Sequence, residues 1–250
     1  MTTIIAHRGA SRAERENTVA AFERAVAMGA DGVELDVRRS ADDHLVVHHD
    51  PRLADGRVIV ETLAADLPEY VPDLAAALDA CDGIFVNIEI KNDPIEPDHD
   101  PTDWVAHRVG ELLVRRGGGV RWLISSFRFE TVGTCRIVLP AVRTAWLVED
   151  LDDDVVARTA VAGHVAVHPR VETLTRDAVR AAHGAGLAVN TWTCDDPARM
   201  RELVAWGVDG ICTNVPDIAL TVRHSVTVAG KTRRTAAGTK SNSSRFTSPR

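Results

Sequence analysis

The sequence predicts a closed (β/α)8 TIM barrel with a small hairpin flap after its second strand and a disordered C-terminal tail. Three observations carry this reading. Short apolar strands alternate with helical segments over residues 3–223, the pattern of βαβ units and a parallel sheet. Nine strands are readable where a barrel needs eight, and the extra one, 44–49, follows 32–38 through a connection too short for parallel neighbours. The unusual polar residues fall at strand exits, the end of a barrel that carries chemistry. A doubly wound open sheet is the alternative, but no GxGxxG follows the first strand and no Walker motif occurs.

The elements follow in order. Residues 3–7, TIIAH, form a short buried strand ending in His7-Arg8-Gly9. After polar loop 10–16, Asn17 or Thr18 caps a helix whose apolar residues recur at helical spacing, and Gly29 closes it. GADGVELDVRRSADDHLVVHHD, 29–50, reads as strand, tight turn and second strand. Side chains two apart in a strand share a face, so Glu34 and Asp36 project together. Antiparallel pairing around Ser40–His44 sets position 36 opposite about 48 and brings His49 beside the two carboxylates. Asp42-Asp43 in the turn tolerates left-handed backbone.

Stretch 50–70 contains Pro51 and Pro68 and has no strong period. Helix 71–81 leads to strand 84–91, where Glu89 and Lys91 share a face. Loop 92–102 is rich in Pro and Asp. Helix 103–116 and three glycines precede strand 120–127, which ends in Ser125-Ser126 and Phe127. The same rhythm then supplies helix 128–139, strand 142–148, helix 152–162, strand 164–168, helix 175–185, strand 187–193, helix 197–206, strand 209–213 and a last helix near 216–223. AMGADGVELDV at 27–37 echoes AWGVDGICTN at 205–214, a shared helix-to-strand connection too short to establish duplicated halves.

With 250 residues, 45% of them hydrophobic, the chain is large enough for one barrel core. Residues 1–224 are assigned to the barrel and 225–250 to the tail, which is rich in Ser, Thr, Gly, Lys and Arg. The net charge of −7 hides an asymmetry, because the tail carries +6 and leaves −13 on residues 1–224. An acidic body argues against nucleic acid as partner. No apolar run long enough to span a membrane occurs, so no integral membrane association is expected. The N-terminus shows no signal-peptide pattern, and a cytoplasmic location is expected. Cys81, Cys135, Cys194 and Cys212 form no CxxC and are read as small core residues, alongside Trp122, Trp146 and Trp206. Oligomeric state leaves no mark in the sequence.

The polar residues at strand exits define a chemistry. Glu34, Asp36 and Glu89 suit one divalent cation with oxygen ligands, Mg2+ or Ca2+, with Mn2+ a further candidate. Arg8 and Lys91 supply positive charge for an anionic small-molecule substrate, phosphate first among the choices. His7 and His49 suit a general base and a general acid on one reacting centre. Ser126 is expected to bind substrate as a hydrogen-bond donor rather than to act as a nucleophile, since no GxSxG elbow surrounds it. His44 and His48 are read as surface residues, and His168 as structural or at the site rim. Together these groups fit phosphodiester cleavage.

The residues also resemble a known family, the glycerophosphodiester phosphodiesterases of the phospholipase C-like superfamily. The matching segments are His7-Arg8-Gly9, Glu16-Asn17-Thr18, Glu34-x-Asp36, His49-Asp50, Glu89-x-Lys91, Ser126-Phe127, Asn190-Thr191-Trp192-Thr193 and GVDGICTNVP at 207–216, in family order over roughly residues 3–220. The resemblance implies His7 and His49 as the catalytic pair, Glu34, Asp36 and Glu89 as metal ligands, Arg8 and Lys91 on the phosphate, and Trp192 as an apolar wall for glycerol. It implies metal-dependent hydrolysis of glycerophosphodiesters to glycerol 3-phosphate and an alcohol. A lysophospholipase D activity and a non-catalytic phospho-ligand-binding barrel are the alternatives. The chain departs from the family pattern at Arg15 (usually Pro), at Cys194-Asp195 (usually apolar-Asn) and at Thr213-Asn214 (usually Thr-Asp). The segment after His49-Asp50 is also short, and it normally covers the site.

Overall fold

A computed structural model describes residues 1–117 and 119–238, with side chains as far as residue 227. The strands are β1 (Thr3–His7), β2 (Gly32–Arg39), β3 (Leu45–Val47), β4 (Phe85–Ile90), β5 (Trp122–Ser126), β6 (Arg143–Val148), β7 (Ala166–Pro169), β8 (Ala188–Thr191) and β9 (Gly210–Thr213). The helices are α1 (Val19–Met28), α2 (Leu74–Ala80), α3 (Trp104–Arg116), α4 (Phe129–Val138), α5 (Asp153–Val161), α6 (Arg176–Gly184), α7 (Pro197–Trp206) and α8 (Pro216–Gly238). Eight strands pair in parallel, in the order β1-β9-β8-β7-β6-β5-β4-β2, and a β1–β2 pairing closes the ring. The ninth, β3, pairs antiparallel with β2 alone. The predicted barrel with a hairpin flap is the observed architecture.

The strands are buried almost throughout because both of their faces are covered. One apolar cluster packs β1, β2, β4 and β5 against α1–α3 through Phe22, Leu35, Leu74, Ile88, Val109 and Ile124. Another packs the opposite half against α5–α8 through Val156, Val167, Val179, Met200, Ile211 and Val222. Leu123, Ala145 and Ala166 fill the N-terminal end of the barrel interior, which leaves the other end to polar side chains.

Helix ends follow local chemistry. Thr18, Asp73, Asp152, Thr175 and Asp196 accept backbone N–H groups at the starts of α1, α2, α5, α6 and α7. Gly29 and Gly207 end α1 and α7 at φ 79° and 84°, which explains the echo between 27–37 and 205–214 as one type of helix exit used twice. The flap register is as expected: Val37 pairs with Val47, and His48 N–H donates to Asp36 O at 3.0 Å. Asp43 takes the left-handed conformation in the turn, at φ 65°.

Most element ends lie within about two residues of the sequence reading. Asp73 caps α2, so that helix starts at 74 rather than 71. The last helix does not stop near 223 but runs to Gly238, because no proline or paired turn signal interrupts residues 217–238. It therefore takes in the first part of the segment read as a disordered tail, while residues 239–250 lie outside the described residues. Stretch 50–70 folds as two single 3-10 turns, Ile59–Glu61 and Ala64–Asp66, over a small cluster of Val46, Leu53, Ile59 and Val71. Among the described residues no helix is long and apolar enough to cross a membrane.

Candidate active site

Register between neighbouring parallel strands sets two polar layers at the C-terminal end of the barrel. His7, Glu34 and Asn87 are partners across β1, β2 and β4, and Asp36, Glu89 and Ser125 are partners one layer further along. Glu34, Asp36 and Glu89 each bring a carboxylate oxygen within 4.8 Å of the others, all buried. Their partners are few. Arg8 N–H donates to Glu34 Oε2 at 2.9 Å, and Asn17 Nδ2 donates to Asp36 Oδ2 at 2.7 Å. The Lys91 ammonium lies 2.9 Å from Asp36 Oδ1 and is hydrogen-bonded to Glu89. Arg8 pairs with Glu16 at 2.9 Å and approaches Asp36 at 3.4 Å. Arg8 and Asn17 both adopt positive φ, 56° and 55°, so the β1–α1 loop holds them in an unfavourable backbone region to reach Asp36.

Two cations therefore face three carboxylates, and Glu34 Oε1 is buried without a hydrogen-bond partner. The electrostatics follow. Burial, aided by the Asp36 and Glu89 charges, pushes the Glu34 carboxyl well above its ordinary range. Burial also raises Glu89, with Lys91 opposing. Burial resists ionisation of Asp36, but Lys91, His49 and Arg8 outweigh it and hold that group well below the carboxylate range. Burial acts against the Lys91 ammonium, and Asp36 and Glu89 more than restore it.

The two histidines stand beside this cluster. His7 Nδ1 is 2.8 Å from Asn214 Oδ1, and burial with the Arg8 charge lowers His7 to about 4. His49 Nδ1 meets Asp50 Oδ1 at 2.7 Å, while burial and Lys91 lower its pKa. One cavity is lined by His7, Arg8, Glu34, His49, Glu89, Lys91 and Trp192, among others. Asp36 lies directly behind Lys91. On the apolar wall, Trp192 packs edge-on against Phe127 at 5.4 Å and donates its indole N–H to His168 O. His168 is buried in the same wall with Asn190 at 2.9 Å, and burial lowers it to about 3.

Ser126 does not join these residues. Successive strand side chains alternate faces, and it is Ser125 that shares the inward face with Glu89. Ser126 is 1% exposed and its hydroxyl donates to Ile90 O at 2.8 Å, which holds β5 to β4 instead of reaching the cavity. Sequence reasoning also passed over Arg38. It lies two residues beyond Asp36 on the same strand face, and that spacing was the available signal. Its guanidinium donates to His49 O at 2.8 Å and pairs with Asp98 at 2.6 Å and Glu96 at 3.0 Å, anchoring the flap to loop 92–102. Asn17 was one of two candidate helix caps; Thr18 takes that role, and the Asn17 amide holds Asp36 instead.

Known proteins resemble this chain in sequence and in fold. A glycerophosphodiester phosphodiesterase of Bacillus altitudinis is 27% identical over 252 residues, 90% of this chain and 100% of that protein. The crystal structure of a glycerophosphodiester phosphodiesterase from Parabacteroides distasonis superposes with a TM-score of 0.77 at 27% identity, over 90% of this chain and 97% of that one. The Oleispira antarctica phosphodiesterase solved in complex with the product sn-glycerol-3-phosphate has the same fold, with a TM-score of 0.82 at 22% identity over 89% and 96% of the two chains. The sequence pattern of the glycerophosphoryl diester phosphodiesterase family matches residues 7–218, from the histidine that ends β1 into α8. That match takes in every strand exit contributing to the cavity, and the chain belongs to the glycerophosphoryl diester phosphodiesterase family.

Proposed function

We propose that this glycerophosphodiester phosphodiesterase releases glycerol 3-phosphate and an alcohol from glycerophosphodiesters, with His7 and His49 as its acid/base pair and Glu34, Asp36 and Glu89 as ligands for one divalent cation. The observation that carries the reading is a cavity lined by two histidines and by Glu34 and Glu89, two members of a buried cluster of three carboxylates. The orphaned Glu34 Oε1 and the excess of one carboxylate over the two cations fit a hard cation with oxygen donors. When bound, such an ion supplies Lewis-acid stabilisation to an anionic phosphoryl group.

The protein's own residues do the rest. Arg8 and Lys91 line the cavity and draw the phosphodiester anion in. His7 is neutral near pH 7 and so is ready to take a proton from the attacking hydroxyl. Burial and then the Lys91 charge disfavour the His49 imidazolium, Asp50 favours it, and a bound phosphodiester adds a negative charge on the favourable side. His49 is then able to protonate the leaving alkoxide. Phe127 and Trp192 present an apolar wall to the glycerol carbons. The catalytic barrel is assigned to residues 1–224, and α8 carries the chain past that boundary into the basic C-terminal segment as far as Gly238.

The test is release of glycerol 3-phosphate from glycerophosphocholine and glycerophosphoethanolamine. Chelator-treated protein is refilled separately with magnesium, calcium or manganese. At least one ion is expected to restore release, and His7→Ala or Glu34→Ala to reduce it by about 10²-fold or more. Full activity in His7→Ala overturns the acid/base reading, and activity indifferent to chelation overturns the ion. Release from lysolipids alone reassigns the substrate.

A further inference from the structure

We propose that Asn214, itself oriented by Asp195, is a positioning residue that fixes His7 in the tautomer with its proton on Nδ1. This rests on His7 acting as a proton carrier, and it adds the groups that set which ring nitrogen does so. The contact is made by three adjacent strand exits. His7 ends β1, Asn214 follows β9 and Asp195 follows β8, and Cys194 N–H donates to Cys212 O at 3.0 Å to tie the Asp195 loop to β9.

Asp195 determines the direction of the chain of hydrogen bonds. A carboxylate only accepts. Its Oδ1 accepts from Thr213 Oγ1 and Asn214 N, both at 2.8 Å, and its Oδ2 accepts from the Asn214 side chain at 2.7 Å. The group that Asn214 turns toward Asp195 must then be its NH2, because an amide oxygen there would oppose a carboxylate oxygen. The Asn214 carbonyl oxygen is left facing His7 Nδ1 at 2.8 Å and the Ser11 hydroxyl at 2.8 Å. An amide oxygen cannot donate, so both neighbours must, and the His7 proton sits on Nδ1. Nε2 is the nitrogen left with a lone pair in a residue that lines the cavity.

Positions 195 and 214 are also two of the places where this chain departs from its family's pattern, and here they touch. The pair places the negative charge one residue behind the histidine. The ring gains a fixed orientation from a neutral acceptor, and the carboxylate acts on it only through the amide.

The deciding measurement is the histidine 15N spectrum of the full chain, with His7 assigned by loss of its signals in His7→Ala. A protonated Nδ1 and a bare Nε2 are expected near neutral pH, and a proton on Nε2 overturns the proposal whatever the variants do. Kinetics on glycerophosphocholine supply the second readout. Asn214→Leu and Asp195→Ala are expected to lower kcat on the order of 10- to 100-fold with KM little changed, and to lose the Nδ1–H signature. The paired exchange Asp195→Asn with Asn214→Asp keeps every hydrogen bond of the chain and is expected to restore both. If His7→Ala abolishes turnover while Asn214→Leu leaves kcat intact, the positioning role fails and the acid/base reading stands. If His7→Ala is itself fully active, the acid/base reading fails and takes this inference with it.

Discussion

Arg38 is fully enclosed although it is charged, and its partners explain how. Two carboxylates, Glu96 and Asp98, and the His49 carbonyl take up its donors. Removing one member of such a buried group leaves the others without compensation. Arg38→Met is therefore expected to cost about 3–5 kcal/mol of stability in urea unfolding, and to lower kcat because His49 loses its anchor. Unchanged stability would show that water replaces the guanidinium. His168 makes a second residue-scale case. Burial depresses it to about 3, so between pH 6.5 and that value the unfolded chain holds a proton that the folded chain does not. Stability must fall as pH drops through this window, at up to about 1.4 kcal/mol per pH unit for this group. The urea midpoint measured from pH 6.5 to 5 should show that slope, and His168→Gln should make it shallower, leaving the share of His7, which is lowered in the same sense.

At the scale of elements, the β1–α1 connection shows how a motif glycine serves two ends. Gly9 sits at φ 81°, and a Cβ there would meet the Ala21 backbone at 2.6 Å, so the loop can press against α1 only without a side chain. Gly29 has a similar φ, 79°, but open space around it. Gly29→Ala should cost about 1–2 kcal/mol, the left-handed penalty alone. Gly9→Ala should cost visibly more and also depress kcat, since it displaces Arg8 from Glu34. Equal midpoint shifts in urea would remove packing from the account. The elements themselves were legible because strand period and helix period are local properties. All nine strands, the caps of α1 (Thr18, one of two candidates, and Gly29) and the pairing of position 36 with 48 came from spacing and turn length. The end of α8 was not, because composition alone made a basic, Ser- and Thr-rich stretch look unstructured, and helix continuation depends on the preceding turns.

For the molecule as a whole, closure of the sheet concentrates three carboxylates and two cations in one enclosure, and that has a thermodynamic signature. An ion that binds only the folded state raises its stability, by about 2.7 kcal/mol at one hundred times its Kd. Chelator-treated protein should melt at a lower temperature than protein refilled with the ion that supports turnover. Glu34→Gln removes the carboxyl that burial most disfavours in charged form. It should raise the melting temperature of the ion-free protein and abolish the ion-dependent gain. An equal gain in the variant would place the ion elsewhere.

From the residues alone came the barrel, the flap, the strand-exit position of the site and the identities of His7, Arg8, Glu34, His49, Glu89, Lys91 and Trp192 as its walls. Each followed from a periodicity or motif readable within a few tens of residues. Tertiary structure decided how those groups share their hydrogen bonds. It bound Lys91 to Asp36 across β2 and β4, spent the Ser126 hydroxyl on Ile90, enclosed Arg38 with Glu96 and Asp98, and set Asn214 against His7 from the far end of the chain. Local pattern tells which face a side chain occupies. Which donor reaches which acceptor depends on strand order and on closure of the ring, and those exist only when the whole chain is folded.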